Sequence, residues 1–176
     1  MITDDAAGEI YVADGYGNHR IIVFDAKTGA FKRMWGAYGK PPSDDKMPPY
    51  KPDAKLSEQF ANPVHCVRLS NDGLVYVCDR ANNRIQVFRK DGSFVKEFRV
   101  SAATLQSGSV WDLVLSEDPQ QKFMFVADGA NGNIVTLDRD SGKELAKWAA
   151  MAASRASSSG FTTSLSIPAA IFILPR

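Results

Sequence analysis

One template of strands and turns occurs three times along the chain, and this repetition constrains the fold more than any other feature. The three copies are YVADGYGNHRIIVFDAKTG at 11–29, YVCDRANNRIQVFRKDG at 76–92 and FVADGANGNIVTLDRDSG at 125–142. Each copy has an aromatic residue and Val, then an Asp, an Asn, an Ile and a closing Gly. Repetition at a period of roughly 50 residues is typical of solenoids, propellers and other arrays of stacked units.

The segments between the turns predict β-strands. They are short, rich in Val, Ile, Phe and Tyr, and bounded by Gly, Asn and Asp. The predicted strands are 9–13, 20–25 and 31–35 in the first unit, 63–69, 74–78, 84–89 and 94–100 in the second, and 109–115, 123–127, 133–138 and 144–148 in the third. Four antiparallel strands per unit are typical of a propeller blade. In this prediction the first unit lacks its innermost strand.

The predicted fold is therefore all-β, with about three blades that are each a four-stranded antiparallel sheet. The units are an incomplete first blade at 1–35, a second blade at 61–100 and a third at 101–148. Closed propellers have at least about four blades, so the chain is interpreted as a fragment of a ring, or as a ring closed by two or more chains. Open half-rings expose blade faces and strand edges, which favours self-association.

Two segments fall outside the repeat. Residues 36–60 hold five prolines between Pro41 and Pro52, so they cannot lie inside a sheet and must form a loop between blades one and two. This loop is interpreted either as a lid over a site or as a spacer. Residues 149–176 are rich in Ala and Ser and carry two charged side chains. They are interpreted as a disordered tail or as an aberrant, frameshifted end.

Charge and hydropathy exclude several classes of function. Lys plus Arg number 21 and Asp plus Glu number 20, and the two signs alternate along the chain, so no nucleic-acid partner is predicted. The late apolar run at 167–174 is far shorter than the ~20 residues of a spanning helix, so no membrane partner is predicted. The opening residues MITDDAAGE lack the basic and apolar regions of a signal peptide.

The recurring template resembles the NHL repeat, which builds six-bladed β-propellers. The stretches DGYGNHRIIVFDAKTGAFKRMWG and NPVHCVRLSNDGLVYVCDRANNRIQVF resemble two successive blades of peptidyl-α-hydroxyglycine α-amidating lyase. They are still more similar to the bacterial NHL-repeat proteins that resemble this lyase. The resemblance implies a fragment of a six-bladed ring, and a reaction that splits a C-terminal α-hydroxyglycine into a peptide amide and glyoxylate. It also suggests an extracytoplasmic location.

The same resemblance assigns three site residues. Tyr16 matches the family's catalytic tyrosine, Arg80 matches a substrate-binding arginine, and His65 matches one of three zinc-binding histidines. The residues alone leave simpler roles open, with His65 as a channel-lining histidine and Tyr16 as a loop aromatic packed on the next blade. The other histidine, His19, lies in a turn where the family has no ligand. A catalytic zinc needs about three protein ligands, so zinc is expected in a longer parent protein and not as a tight ligand of this chain.

Two further pairs of side chains are assigned structural roles. Arg84 occupies the same template position as Arg20 and is predicted to pair with a repeat aspartate within or between blades. Cys66 and Cys78 flank a hairpin turn, where a disulfide is conceivable. Two free buried thiols are favoured, because the geometry of adjacent strands rarely suits the bond.

Two functions from different classes follow from these features. The first is a binding or scaffold module that offers its channel or rim to a peptide or protein, since a propeller fold does not fix a function. The second is part of a zinc-dependent, amidating-lyase-like enzyme that is complete only in a longer parent chain. Two more histidines at blade starts of a parent sequence would favour the enzyme. The chain on its own is predicted to be inactive as a lyase.

Overall fold

The computed structural model describes residues 1–43 and 45–149, and all its strands belong to three antiparallel four-stranded sheets. Blade one contains β1 (Ile2–Asp4), β2 (Glu9–Asp14), β3 (Arg20–Asp25) and β4 (Phe31–Trp35). Blade two contains β5 (Val64–Leu69), β6 (Val75–Asp79), β7 (Arg84–Phe88) and β8 (Phe94–Arg99). Blade three contains β9 (Val110–Leu115), β10 (Phe123–Asp128), β11 (Asn133–Asp138) and β12 (Glu144–Ala149). Apart from Ala149, the predicted tail lies outside the described residues.

Helical structure in the described part is confined to two short 3-10 turns, Ala37–Gly39 and Arg80–Asn82. Neither these turns nor any other described helix has the length and apolar character required to cross a bilayer. The all-β prediction is therefore confirmed, and each predicted strand agrees with the observed one to within one residue at either end.

Blade one has an innermost strand that the sequence prediction lacked. Strand β1 pairs antiparallel with β2, with Ile2 opposite Tyr11 and Asp4 opposite Glu9. The prediction of three strands in this unit is therefore wrong. A strand of three residues is too short to show the alternation of apolar and polar positions that marks longer strands, and its pairing with β2 defines it instead.

Apolar cores fill the two spaces between neighbouring blades. The core between blades one and two contains Tyr11, Ile21, Val23, Trp35, Phe60, Val67, Val75, Val77 and Phe88. The core between blades two and three contains Cys78, Ile85, Val87, Leu113, Met124, Val126, Val135 and Leu137. Every residue of β6 and β7 is buried, because blade two has a neighbour on each face. The outer face of blade three remains exposed and carries Val114, Phe125, Ile134 and Trp148.

Side-chain contacts at one rim explain the Asp and Asn of the repeat template. In each copy the Asn amide donates to the Asp carboxylate at 2.8–2.9 Å: Asn18 to Asp14, Asn82 to Asp79 and Asn131 to Asp128. These bonds close the loop that follows the second strand of each blade. They explain why an Asn recurs three or four residues after the Asp, since Asn and Asp side chains readily form hydrogen bonds that stabilise turns.

The template arginine of blade two forms a buried ion pair. Arg84 Nε lies 2.6 Å from Asp79 Oδ2, and both side chains are fully buried. The same carboxylate accepts the backbone amide of Ala61 at 2.9 Å. Burial raises the pKa of the Asp79 carboxyl, and the Arg84 guanidinium opposes that rise. The structural role predicted for Arg84 is confirmed.

The two cysteines form a disulfide, so the expectation of two free thiols is wrong. Cys66 on β5 lies directly opposite Cys78 on β6, with their Cα atoms 4.8 Å apart. The register of this hairpin shifts between Val64 and Cys66. This shift lies beyond the cysteines, and the pairing from Leu69–Val75 beside the turn to Cys66–Cys78 is continuous. The two cysteines are therefore a directly opposed pair, at a separation that a disulfide can span.

Candidate functional site

The three site residues assigned by the resemblance lie together in the structure. Tyr16 follows β2 in blade one, while His65 on β5 and Arg80 in the turn after β6 belong to blade two. The rings of Tyr16 and His65 have centroids 5.9 Å apart in an edge-on arrangement. Arg80 Nη1 donates to the Tyr16 hydroxyl at 3.3 Å. The cluster therefore spans the junction of the first two blades.

Trp111 on β9 completes this cluster from blade three. The Arg80 guanidinium lies over its ring at 4.9 Å from the centroid, and over the Tyr16 ring at 6.0 Å. The rings of His65 and Trp111 have centroids 6.0 Å apart. Sequence reasoning did not select Trp111, although aligning VHCVRL at 64–69 with VWDLVL at 110–115 places it at the repeat position of His65. We name Tyr16, His65, Arg80 and Trp111 the junction cluster.

A backbone hydrogen bond fixes the proton of His65. The Nδ1 atom bonds the carbonyl oxygen of Trp111, and a carbonyl can only accept, so Nδ1 must carry the hydrogen. This tautomer is assigned from the bond and leaves Nε2 with its lone pair. Histidines that bind metals commonly use this arrangement, in which the second nitrogen donates to a carbonyl or carboxylate. His65 therefore presents Nε2 as a hydrogen-bond acceptor or metal ligand.

Arg80 has donors that the protein does not use. Its Nε is buried without a hydrogen-bond partner, and no carboxylate pairs with its guanidinium among the residues that the structure describes. A buried donor without a partner costs about 1–3 kcal/mol. Arg84 differs, because its guanidinium contacts Asp79, Tyr38 and a backbone carbonyl. Arg80 therefore has the free binding capacity that an anion requires.

Glycines allow the blades to approach closely at the junction cluster. A Cβ at Gly108 would lie 2.0 Å from the carbonyl oxygen of Arg80, and Gly108 has a φ of +70°. A Cβ at Gly129 would lie 2.4 Å from the indole ring of Trp111. Any larger residue at either position would push Arg80 or Trp111 away from its observed place.

The described residues do not supply a complete three-ligand zinc site. His65 offers one nitrogen, whereas His19 binds a backbone carbonyl in the proline-rich loop through its Nδ1. Among the described residues, the one close group of three metal-ligand types is Cys66, Cys78 and Asp112. Its two sulfur atoms are joined in the disulfide, so they are not available as thiolate ligands. A structural zinc centre at His65 would need ligands from outside this part of the chain.

Comparison with known proteins agrees with the repeat seen in the sequence. The family model described as NHL repeat matches residues 3–24 and 64–88. Peptidyl-glycine alpha-amidating monooxygenase B from Xenopus laevis is 36% identical over 100 residues, which is 56% of this chain and 10% of that protein. The corresponding protein from Mus musculus is 32% identical over 100 residues, which is 9% of its length. This chain thus matches about a tenth of these curated relatives.

Solved structures share the fold at lower sequence identity. A protein from Lactobacillus plantarum superposes with a TM-score of 0.59 and 20% identity, over 86% of this chain and 42% of the other. The periplasmic gluconolactonase PpgL from Pseudomonas aeruginosa gives a TM-score of 0.58 and 17% identity, over 84% and 38%. These neighbours are β-propellers, and similarity at this level concerns the fold alone. The described residues therefore form three blades of a partial β-propeller, and two segments of the chain, 3–24 and 64–88, match the NHL repeat.

Proposed function

We propose that the chain is a peptide-binding module whose junction cluster takes the carboxyl end of a peptide. The observation that carries this proposal is the Arg80 guanidinium, which lies between two aromatic rings and has a buried Nε without a partner. A guanidinium presents parallel N–H donors that match the two oxygens of a carboxylate. Because Nε is buried and the bond to Tyr16 uses only one N–H of Nη1, the terminal edge formed by Nη1 and Nη2 is the one that a carboxylate would occupy.

The aromatic rings around Arg80 support this binding mode. Trp111 and Tyr16 cover the guanidinium and limit its rotation, so little side-chain entropy remains to be lost on binding. Trp111 covers one face of the guanidinium at 4.9 Å, and a low local dielectric at that face strengthens charge-assisted hydrogen bonds. Tyr16 is 76% exposed, so its ring also provides an apolar surface for the residues of a bound peptide.

The test compares two fluorescein-labelled Ala-Phe-Gly peptides that differ only in a free or amidated C-terminus. We expect the free carboxylate to bind at least about tenfold more tightly in fluorescence anisotropy, since hydrogen bonds to charged groups are among the strong ones. Arg80→Gln should remove this difference. Arg89→Gln, at an exposed arginine of the same blade, is the matched control and should keep it. A preference for the carboxylate that survives in Arg80→Gln would contradict the proposal.

A second candidate function is amidating-lyase-like chemistry in a longer parent protein. The observation that favours it is the contact between Tyr16 and Arg80, next to a His65 whose Nε2 retains its lone pair. A phenol titrates near pKa 10, and it acts as a base at neutral pH only when a neighbouring cation stabilises the phenolate. Arg80 would provide that cation. The similarity to peptidyl-glycine alpha-amidating monooxygenase points to the same chemistry.

The assay for this second candidate is glyoxylate release from an α-hydroxyglycine peptide, with zinc added and then chelated. We expect no turnover from this chain alone, because one imidazole cannot hold zinc at ordinary concentrations. Zinc-dependent turnover that disappears in His65→Ala would overturn this expectation. It would mean that a second copy of the chain supplies the missing ligands.

We also propose an extracytoplasmic location. The Cys66–Cys78 disulfide supports it, because the cytosol keeps most thiols reduced. One fold neighbour is described as periplasmic. Acid-quenched protein from its native cells should show no free thiol after denaturation and alkylation, whereas alkylation of both cysteines would contradict this proposal.

A further inference from the structure

A cavity of about 590 Å³ lies beside the junction cluster. Three of its lining residues come from the same loops as the cluster, because Gly17 follows Tyr16, Ala81 follows Arg80, and Asn62 precedes β5. The facing wall comes from the proline-rich loop, through residues 46–50. Cavities of roughly 300–1,000 Å³ are typical of ligand sites. The loop that interrupts the repeat therefore forms one wall of a cavity whose opposite lining includes Ala81, the residue that follows Arg80.

This wall is held in place by bonds on both sides. Before it, Ser43 accepts a hydrogen bond from His19 Nδ1 at 2.9 Å. After it, the Tyr50 hydroxyl donates to the carbonyl of Ala102 at 2.7 Å and accepts from Arg99 Nη2 at 2.6 Å. Proline fixes its own φ, so Pro48 and Pro49 in this wall have little backbone freedom to lose. The cavity is therefore largely formed before any ligand enters.

The lining of the cavity is mainly apolar and carries no carboxylate among the described residues. Met47, Pro48, Pro49 and Tyr50 supply one wall, and Leu105 faces them with 55% of its surface exposed. The charged residue in the lining is Lys46. An apolar side chain would gain by covering these surfaces, and a cationic one would meet Lys46 without a compensating anion.

We infer that this cavity is the subsite for the residue that precedes the C-terminal residue of the bound peptide, and that it selects a large apolar side chain. The inference rests on the proposed binding of the carboxyl end at Arg80. Consecutive residues of an extended peptide are about 3.3–3.6 Å apart along the chain. A peptide whose carboxylate occupies Arg80 therefore brings its preceding side chain to the loops that Gly17 and Ala81 share with the cluster.

The test uses three fluorescein-labelled peptides with free carboxyl ends: Ala-Phe-Gly, Ala-Gly-Gly and Ala-Lys-Gly. We expect Ala-Phe-Gly to bind about tenfold or more tightly than the other two, which is the range for burying a large apolar side chain. Met47→Asp and Leu105→Asp should each lower the affinity for Ala-Phe-Gly about tenfold. Both variants should keep the affinity for Ala-Gly-Gly within about twofold. Leu145→Asp, at an exposed leucine of β12, is the matched control and should change neither.

The outcomes separate this inference from the proposed function. The subsite is disproved if wild-type protein shows no preference for Phe, or if both Asp variants keep it. In that case an effect of Arg80→Gln on the carboxylate peptides still supports binding at Arg80. If Arg80→Gln changes nothing, both the proposed function and the assignment of the subsite fall, even when Met47→Asp weakens binding. Absence of binding by all three peptides overturns both proposals.

Discussion

Replacing Arg84 with methionine should destabilise this protein more than any other single change at the rim of the blades. Arg84→Met keeps an unbranched apolar stem to about the position of Nε and removes the charged guanidinium group. The Asp79 carboxylate then remains fully buried without a cation. The variant also loses the bonds from Arg84 to the Tyr38 hydroxyl at 2.8 Å and to the Gln59 carbonyl at 3.0 Å, which attach the proline-rich loop to blade two.

Removing one partner of a buried ion pair costs about 3–5 kcal/mol. A single domain has a free energy of unfolding of about 5–15 kcal/mol, so the loss would be about a fifth of the total or more. Arg20→Met is the matched control at the same position of the repeat. Arg20 Nε lies 2.9 Å from Asp14, and about a quarter of each side chain is exposed. Such a pair contributes about 1 kcal/mol or less.

The assay is urea unfolding followed by tryptophan fluorescence and circular dichroism. Without Arg84, the hydrogen bonds from Asn82 and the Ala61 amide oppose desolvation without a cation, and the pKa of Asp79 rises further above the unfolded value. A carboxyl with a raised pKa in the folded state loses stability as the pH rises, so the deficit of Arg84→Met should grow from pH 4 to pH 7. Adding Asp79→Asn should recover part of it. Equal losses in Arg84→Met and Arg20→Met would refute the reasoning.

Three further predictions concern other parts of the fold. The hydrogen bonds from Arg33, and then those from Lys32 and Tyr11, hold the pKa of the buried Glu9 carboxyl well below its usual range. The melting temperature should therefore fall as the pH drops through about 5 to 2, and Glu9→Gln should make this fall smaller. Replacing Cys66 and Cys78 by serine should cost about 3 kcal/mol in urea unfolding, the chain-entropy value for a loop of this size, whereas an unchanged midpoint would show that the bond contributes nothing. Gly108→Ala would place a Cβ 2.0 Å from the backbone after β6 and should lower the melting temperature, whereas Gly8→Ala, with open space around it, should show only the smaller cost of a positive φ.

The strands could be predicted because each is long enough to show its pattern and ends at a turn residue. Strand β1 could not, since three residues carry no periodicity. Cys66 and Cys78 are equally far from the β5–β6 turn and pair without a register break, but spacing along the chain does not give the Cα separation of 4.8 Å that allows the bond. Tyr16, His65 and Arg80 were selected through the resemblance to a family.

Trp111 shows a different limit of sequence reasoning. Its contact with Arg80 depends on how blade three packs on blade two, and a template describes single blades rather than their packing. The repeat alignment that places Trp111 at the position of His65 was present in the sequence. That alignment would have located the residue, although not its partner across the blade interface.

The junction cluster contains residues from all three blades, and this determines when the cluster can assemble during synthesis. Tyr16 meets Arg80 across 64 residues of sequence, and His65 meets Trp111 across 46, whereas the hairpins within each blade are local. A chain leaves the ribosome from its N-terminus, and domains tend to fold in that order. Blades one and two can therefore pair while blade three is still being made. A nascent chain that stops between 100 and 109 would hold the first two blades without Trp111, so the proposed peptide binding would require blade three.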